Sequence, residues 1–433
     1  MMKKSIPFSI ILLFFCFLLL EAQAEEILSW EDCLLEAKKN HPDLISAVES
    51  VNQKKADKTI AASGLYPQIN SNLGASTSST STTNTVTLET TRSTSDSYSY
   101  GVTGTQLIFD GFKKLNNVQA ASENINASQQ NYRFTSTEVR LNLRSAFINL
   151  LKAQELIKVA EEIAKIRRDS LELITLCYES GLEHKGALLT AEANLAEASF
   201  ELAQAKRDIG LAQRQLTKEM GRKEFKPMLV KGDFTVRDSA REKPDLEALA
   251  KNNPSLLQAL AKKNAALFDI KSAYADFAPQ LSGQAGANRR SSLWPPRNNN
   301  YDLSLSLTLP IFEGGLRLAQ VSKAQAVYNQ LVADERSTRD SIIVALEQYW
   351  VALQDALETV EVQGKTLNAS QERSRIAEAQ YSTGFITFDN WIIIENDLVS
   401  AKKTYLNSQV NALLAEANWV KAKGETLEYA QKY

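Results

Sequence analysis

The chain has 433 residues, of which 44% are hydrophobic, and its 49 basic and 51 acidic side chains give a formal net charge of −2 at pH 7. This near-neutral balance provides no concentrated basic surface, which argues against a nucleic-acid partner. After the N-terminal segment, no stretch approaches the roughly 20 continuous apolar residues that a membrane-spanning helix needs, so the sequence predicts no helical membrane span.

The first 24 residues have the composition of an export signal. Lys3 and Lys4 precede an apolar run at 10–20, and the sequence "AQA" at 22–24 has the small residues of a cleavage site. A membrane anchor is the alternative interpretation, but the run is short and ends in the cleavage pattern. We therefore expect residues 1–24 to be a signal peptide that is removed on export.

Several short sequences occur twice, first 212 and then 203 residues apart. The matching pairs are "KNHPDL" (39–44) and "KNNPSL" (251–256), "YPQI" (66–69) and "APQL" (278–281), "FDG" (109–111) and "FEG" (312–314), and "YESGL" (178–182) and "YSTGF" (381–385). We predict a duplication, with a first repeat at 25–226, a linker at 227–244 and a second repeat at 245–433 in one integrated fold. Each repeat is predicted to contain a helix, two strands and a long helical hairpin.

The hairpins are predicted from the absence of helix-breaking residues and from a heptad pattern. No proline or glycine occurs in residues 112–180, which as one helix would span roughly 100 Å at 1.5 Å per residue. In the next segment small and large apolar residues alternate along a seam, as in helices packed side by side. The seam consists of Ala191, Leu195, Ala198, Leu202, Ala205, Ile209, Ala212 and Leu216. An ordinary antiparallel coiled coil accounts for this pattern. The pattern alone does not say whether the helices enclose anything.

The sequence "YDLSLSLTLP" at 301–310 predicts a strand with one apolar and one polar face, because apolar and polar residues alternate strictly. Its apolar side chains are Leu303, Leu305, Leu307 and Leu309. Its predicted partner is the strand 279–288, joined through the turn sequence "RRSSLWPPRNNN". In the first repeat, strands are predicted around 69–75 and 97–108. We expect the Ser/Thr tract between them, residues 76–97, to be a long exposed loop; a disordered tether is the alternative.

Four strands form a sheet with open edges, and unpaired backbone groups are too costly to expose to lipid. The smallest membrane barrels use about eight strands. Either the sheet is soluble and packs on the chain's own helices, or several chains contribute strands to one barrel. No separate amphipathic helix is available to cover the leucine face, which favours the second arrangement.

In this order and in duplicate, these motifs resemble the TolC-like outer membrane efflux family, the outer membrane factors of tripartite export systems. The resemblance implies a mainly α fold with a small antiparallel β part. Three chains would form a homotrimer whose long helical hairpins build an α-barrel and whose strands, four per chain, build a shared transmembrane β-barrel in outer membrane lipid. The four alternating leucines would then face lipid.

The resemblance also implies two functional regions on the hairpins. The tips would dock a periplasmic adaptor protein, through Tyr178, Gly181, Leu182, Tyr381, Gly384 and Phe385. A periplasmic aperture would be lined by Gly186, Ala187, Ile386, Asp389, Asn390 and Ile393. In the family, basic and acidic residues often close this aperture through salt bridges. The matching positions of this chain lack those residues, so the sequence shows no salt bridges that would close it. The alternative to adaptor docking is that the tip glycines only terminate the helices.

The residues that commonly carry catalysis are sparse. The chain has two histidines, His41 and His184, and after export two cysteines, Cys33 and Cys177, which the sequence gives no reason to pair. No Cys/His cluster has zinc spacing. We therefore expect no enzyme activity, no metal and no cofactor. The predicted function is a passive exit duct of a tripartite efflux or type I secretion system, serving an inner-membrane pump of RND or ABC type; a channel-free coiled-coil scaffold is the alternative.

Overall fold

The structure is a computed structural model that describes residues 26–83, 85–236 and 242–428. The predicted signal peptide lies outside the described residues. The chain divides into two compact units. One contains the described residues of 26–45, 135–246 and 344–428, and the other contains 46–134 and 247–343.

Three helices in the first half of the chain have the same lengths as their counterparts in the second half. In chain order they are α1 (Trp30–Asn40), α2 (Pro42–Ser63), α3 (Lys113–Glu179), α4 (Lys185–Glu219), α5 (Leu246–Lys251), α6 (Pro254–Ala275), α7 (Leu316–Ser382) and α8 (Phe388–Ala422). Both α3 and α7 have 67 residues, and both α4 and α8 have 35. The prediction of one uninterrupted helix over 112–180 is confirmed. Among the described helices, none combines the length and the apolar character needed to cross a membrane.

Glycines with positive φ recur at the predicted offset of 203 residues. Gly111 and Gly314 have φ of 69° and 61° at the entrance to the long helices. Gly221 and Gly424 have φ of 73° and 79° at the ends of α4 and α8. This left-handed conformation favours glycine, because the residue has no Cβ to clash with the backbone. These duplicated glycines therefore mark where α3 and α7 begin and where α4 and α8 end.

The motif "NHP" and its counterpart "NNP" perform the same structural task. Nδ1 of His41 accepts a hydrogen bond from the Asp43 N–H at 3.2 Å, and Oδ1 of Asn253 accepts one from the Ser255 N–H at 3.0 Å. The proline that follows starts the next helix, where its missing N–H costs nothing. A histidine and an asparagine thus replace each other as helix caps.

The strands form two separate sheets. The elements are β1 (Glu26–Leu28), β2 (Gln68–Thr83), β3 (Thr90–Phe109), β4 (Met228–Val230), β5 (Gln280–Ser291) and β6 (Asn298–Thr308). The larger sheet is antiparallel throughout and has the order β2-β3-β5-β6, so β2 and β6 are its edges. The smaller sheet pairs β1 with β4 in parallel.

The Ser/Thr tract is mostly strand, so the prediction of a long loop over 76–97 is wrong. The β2–β3 pairing continues from Ser76 opposite Ser97 to Thr83 opposite Thr90. The tract contains no proline or glycine, and its threonines are β-branched residues that favour extended backbone. β5 pairs with β3 only as far as Tyr98, so the remainder of the β2–β3 ribbon extends beyond the other strands.

The second hairpin also differs at its ends from the prediction. β5 runs to Ser291 rather than 288, so only residues 292–297 connect it to β6. Leu309 lies just outside β6, which ends at Thr308, and the proline at 310 has no N–H to extend the pairing. Leu309 is nevertheless exposed, as the three leucines within the strand are.

The segment 227–244 remains a predicted linker, and its first part holds β4. The Gln154 side chain on α3 binds both backbone groups of Val230 in that strand, accepting from its N–H at 2.8 Å and donating to its carbonyl at 3.0 Å. This amide bridge ties β4 to a long helix within one unit. Cys33 and Cys177 are free thiols, so they form no disulfide.

Candidate functional site

Both helical hairpins turn through the same glycine-dependent motif. Gly181 and Gly384 have φ of 73° and 76°, and in each turn the next residue donates its N–H back across the helix end. Leu182 donates to the Cys177 carbonyl at 2.8 Å, and Phe385 donates to the Gln380 carbonyl at 2.8 Å. These bonds satisfy carbonyls that a helix end leaves free. The glycines therefore terminate the helices, which is the alternative role that the sequence suggested for them.

The same turns leave one large apolar side chain exposed at each tip. Leu182 is 78% exposed and Phe385 is 83% exposed. The space where a Cβ would stand on Gly181 or Gly384 has no atom within 4 Å. The tips are thus open surfaces with an apolar residue on each.

The two tip tyrosines have different environments despite their matching positions. Tyr178 is partly exposed, whereas Tyr381 is buried and stacks on Trp391 with ring centroids 4.6 Å apart. The Tyr381 hydroxyl donates to Oε1 of Glu183 at 2.9 Å. Burial and this bond raise the pKa of Tyr381 above its usual range, so the hydroxyl stays protonated and keeps donating. The bond joins the loop of the first hairpin to the second hairpin.

The six predicted aperture residues have different exposures. Ala187 is fully buried in the α4 first turn, where its N–H donates to Nδ1 of His184 at 3.1 Å. Gly186 is exposed, and a Cβ there would lie 2.9 Å from the same nitrogen. Ile386 is half-buried against the apolar cluster around Trp391. The remaining three are exposed on the first turns of α8: Asp389, Asn390 and Ile393.

A buried ion pair lies farther along the hairpins and was missed from the sequence. Arg167 on α3 donates to Glu395 on α8, and both side chains are buried. Ser170 donates its hydroxyl to the other Glu395 oxygen at 2.7 Å. The one available signal was that Arg167 interrupts a second apolar heptad seam, on α3, which consists of Val139, Leu143, Ala146, Leu150, Ala153, Ile157, Ala160 and Ala164. The partner of Arg167 lies 228 residues away along the chain, and no spacing rule connects them.

The larger sheet has one apolar and one polar face. Residues paired across neighbouring strands share a face, so the registers define each face completely. The apolar face includes Ile69, Leu73, Val102, Ala285, Leu303, Leu305 and Leu307. The polar face includes Asn70, Thr103, Gln284, Asp302 and Ser304. The alternation predicted for 301–310 is confirmed by the β5–β6 register.

The apolar face is uncovered in the single chain. Leu303 is 87% exposed, and every residue of β6 is exposed. Among the residues that the structure describes, β2 and β6 each pair with one strand, so the backbone groups on their outer sides have no strand partner. Such an edge is a template for pairing with another chain.

Both histidines have structural roles. Nδ1 of His41 and Nδ1 of His184 each accept a backbone N–H at the start of a helix. Within the described ranges, no group of three or more His, Cys, Asp and Glu residues is arranged to hold a metal ion. The positions singled out by the sequence thus lie in turns, helix caps and strand faces.

A family model described as "Outer membrane efflux protein" matches residues 34–222 and 246–425. The chain belongs to the outer membrane efflux protein family. The two matched segments fall within the two predicted repeats, and the TolC-like resemblance is confirmed. Homologues in this family are outer membrane channels, a non-enzymatic class.

Individual relatives match over most or part of the chain. The outer membrane efflux protein BepC of Brucella suis biovar 1 (strain 1330) is 21% identical over 406 residues, covering 90% of this chain and 84% of BepC. Outer membrane protein TolC of Escherichia coli (strain K12) is 25% identical over 195 residues, covering 41% of this chain and 39% of TolC. A crystal structure of CusC superposes with a TM-score of 0.80 at 20% identity, covering 90% of this chain and 91% of CusC. This similarity confirms the mainly α fold with a small antiparallel sheet.

Proposed function

We propose that this outer membrane efflux protein is the exit duct of a tripartite efflux or type I secretion system and passively conducts substrates across the periplasm and outer membrane. The observation that carries the proposal is the exposed apolar face of a four-stranded sheet whose two edges are unpaired. Lipid is the environment in which such a face is stable, provided that no backbone edge remains open.

A homotrimer satisfies both conditions. If β6 of one chain pairs with β2 of the next, three chains provide twelve strands, more than the roughly eight of the smallest membrane barrels. The apolar face then contacts outer membrane lipid, and the polar face lines the lumen. The long hairpins of three chains form the periplasmic tunnel in the same assembly.

Directionality comes from partners in this proposal. A duct of this kind has no chemistry of its own, so an inner-membrane pump of RND or ABC type supplies the energy. A periplasmic adaptor connects the pump to the hairpin tips. The exposed Leu182 and Phe385 support tip docking, because the fully buried core of an interface is more apolar than the rest of a protein surface.

The proposed aperture combines four exposed residues of the tips with two that pack inside the hairpins. Asp389, Asn390 and Ile393 have the exposure that a lining residue needs, and Gly186 lies at the start of α4. Ala187 contributes through the packing of the hairpin rather than through an exposed side chain. Ile386 is half-buried and also contributes through packing, because it contacts the apolar cluster around Trp391.

Valine at both Gly181 and Gly384 is expected to abolish capture of the cognate adaptor in a pull-down. A β-branched side chain is strained at positive φ, so the backbone of both tips must change. The trimer should persist, because neither glycine has neighbouring atoms within 4 Å of its Cβ position. Gly210→Val is the matched control: it lies within α4 and also has open space around it. Normal capture by the double variant would refute the tip assignment.

Fractionation of cells tests the duct against the scaffold alternative. The protein is expected to remain in the outer membrane after a high-salt wash and to be released by detergent. A coiled-coil scaffold bound to the membrane surface would leave with salt. Release by salt alone would therefore contradict the proposal.

A further inference from the structure

An arginine lies at the rim of the apolar face, where β3, β5 and β6 are still paired. Arg289 on β5 pairs with Tyr100 on β3 and Asn299 on β6, so it shares the face of the leucines. The preceding row on this face contains Val102 and Tyr301. Arg289 is nine residues beyond the first residue of β5, about 30 Å at 3.3 Å per residue. It therefore lies at the rim of the apolar face, at the end away from the α6 connection.

This arginine contacts a tyrosine that belongs to a small aromatic group. Its Nη1 donates to the Tyr100 hydroxyl at 3.2 Å. The rings of Tyr98 and Tyr100 pack edge-on against Trp294, with centroids 6.2 and 6.5 Å apart. We call Tyr98, Tyr100, Arg289 and Trp294 the rim cluster. Tyrosine and tryptophan favour the boundary between lipid and water, where one part of the side chain is apolar and another is polar.

The charge of Arg289 is available to a ligand. The side chain is exposed, and no carboxylate pairs with it in the part of the chain that the structure describes. A guanidinium has five N–H donors, and here one of them is used. Asp96 lies on the same face two rows farther along β3, where it accepts a hydrogen bond from Thr77 at 2.8 Å. This carboxylate is therefore already engaged within its own hairpin.

We propose that the rim cluster binds the phosphate of a phosphorylated glycolipid in the outer leaflet, with the lipid's acyl chains on the leucine rows. The inference rests on the proposed function, which places this rim at the outer surface of the membrane. Guanidinium matches phosphate geometry with two parallel N–H donors, and the neighbouring rings face the headgroup boundary. The cluster thus combines a phosphate-binding group with an adjoining apolar surface, which is the chemistry of an anionic glycolipid.

The test uses two neighbouring arginines on opposite faces of one strand. Arg289→Gln removes the charge from the apolar face, whereas Arg290→Gln removes the same charge from the polar face. Native mass spectrometry of the purified assembly would measure binding of bisphosphorylated lipid A, dephosphorylated lipid A and phosphatidylglycerol. Arg289→Gln is expected to weaken binding of bisphosphorylated lipid A about tenfold, because a charge-assisted phosphate contact is lost. Arg290→Gln is expected to bind as the unchanged protein does.

The other two lipids test whether binding requires the phosphate and whether the phosphate must belong to a glycolipid. Dephosphorylated lipid A should bind the unchanged protein about as weakly as bisphosphorylated lipid A binds the Arg289→Gln protein. Equal weakening in both variants, no weakening in either, or tight binding of dephosphorylated lipid A would overturn the inference. So would phosphatidylglycerol binding as tightly as bisphosphorylated lipid A. An unchanged protein that forms no membrane-inserted assembly would instead contradict the proposed function.

Discussion

Glu395→Leu is expected to destabilise the protein by about 3–5 kcal/mol, the usual cost of leaving one member of a buried ion pair without its partner. Glu395 is 2% exposed and Arg167 is 7% exposed, so water cannot replace the lost carboxylate. Ser170 would lose its acceptor as well. Thermal unfolding of the purified protein, followed by circular dichroism, measures the loss as a lower melting temperature.

Two further variants separate the ion pair from other effects of the substitution. Arg167→Leu combined with Glu395→Leu should recover much of the stability, since neither charge is then buried alone. Asp397→Leu breaks an exposed contact with Arg373, 3.6 Å long, and should cost at most about 1 kcal/mol. A loss in Glu395→Leu no larger than in Asp397→Leu would show that the buried pair does not stabilise the hairpins.

Leu305→Arg is expected to remove most of the assembled protein from the outer membrane. Leu305 lies on the apolar face opposite Gly283, and an arginine near the bilayer midplane costs about 2–4 kcal/mol. The measurement is the amount of heat-resistant oligomer in isolated outer membranes. This cost recurs in each chain of the assembly, which makes the expected effect large.

Ser304→Arg provides the matched control, because Ser304 precedes Leu305 on the same strand and lies on the polar face opposite Gln284. Its arginine would project into the lumen and remain hydrated. We expect near-normal assembly. Equal losses in the two variants would mean that the two faces do not differ in environment, contrary to the proposed orientation of the sheet.

The parts of the fold that follow local rules could be predicted from the sequence. The absence of proline and glycine over 112–180 predicted a long helix, and the structure has one from Lys113 to Glu179. Paired glycines such as Gly181 and Gly384 marked helix ends because positive φ favours this residue. Strict alternation in β6 predicted its two faces. Each of these signals depends on residues close together in the chain.

Features that depend on contacts between residues far apart in the chain could not be predicted from the sequence. A Ser/Thr tract suggested a loop, yet pairing with a second extended segment made it a ribbon. Tyr178 and Tyr381 occupy matching motif positions, but stacking on Trp391 buries only the second. Arg167 and Glu395 come into contact only when the two hairpins pack against each other. Tertiary packing, rather than any local pattern, decides these three outcomes.

The mass of the protein extracted from outer membranes tests the shared sheet most directly. Size-exclusion chromatography with multi-angle light scattering, corrected for bound detergent, gives the number of chains in the particle. Three chains are expected, because a four-stranded sheet with an exposed leucine face and two unpaired edges needs partner strands to close. A monomer that stays in solution without detergent would contradict the account.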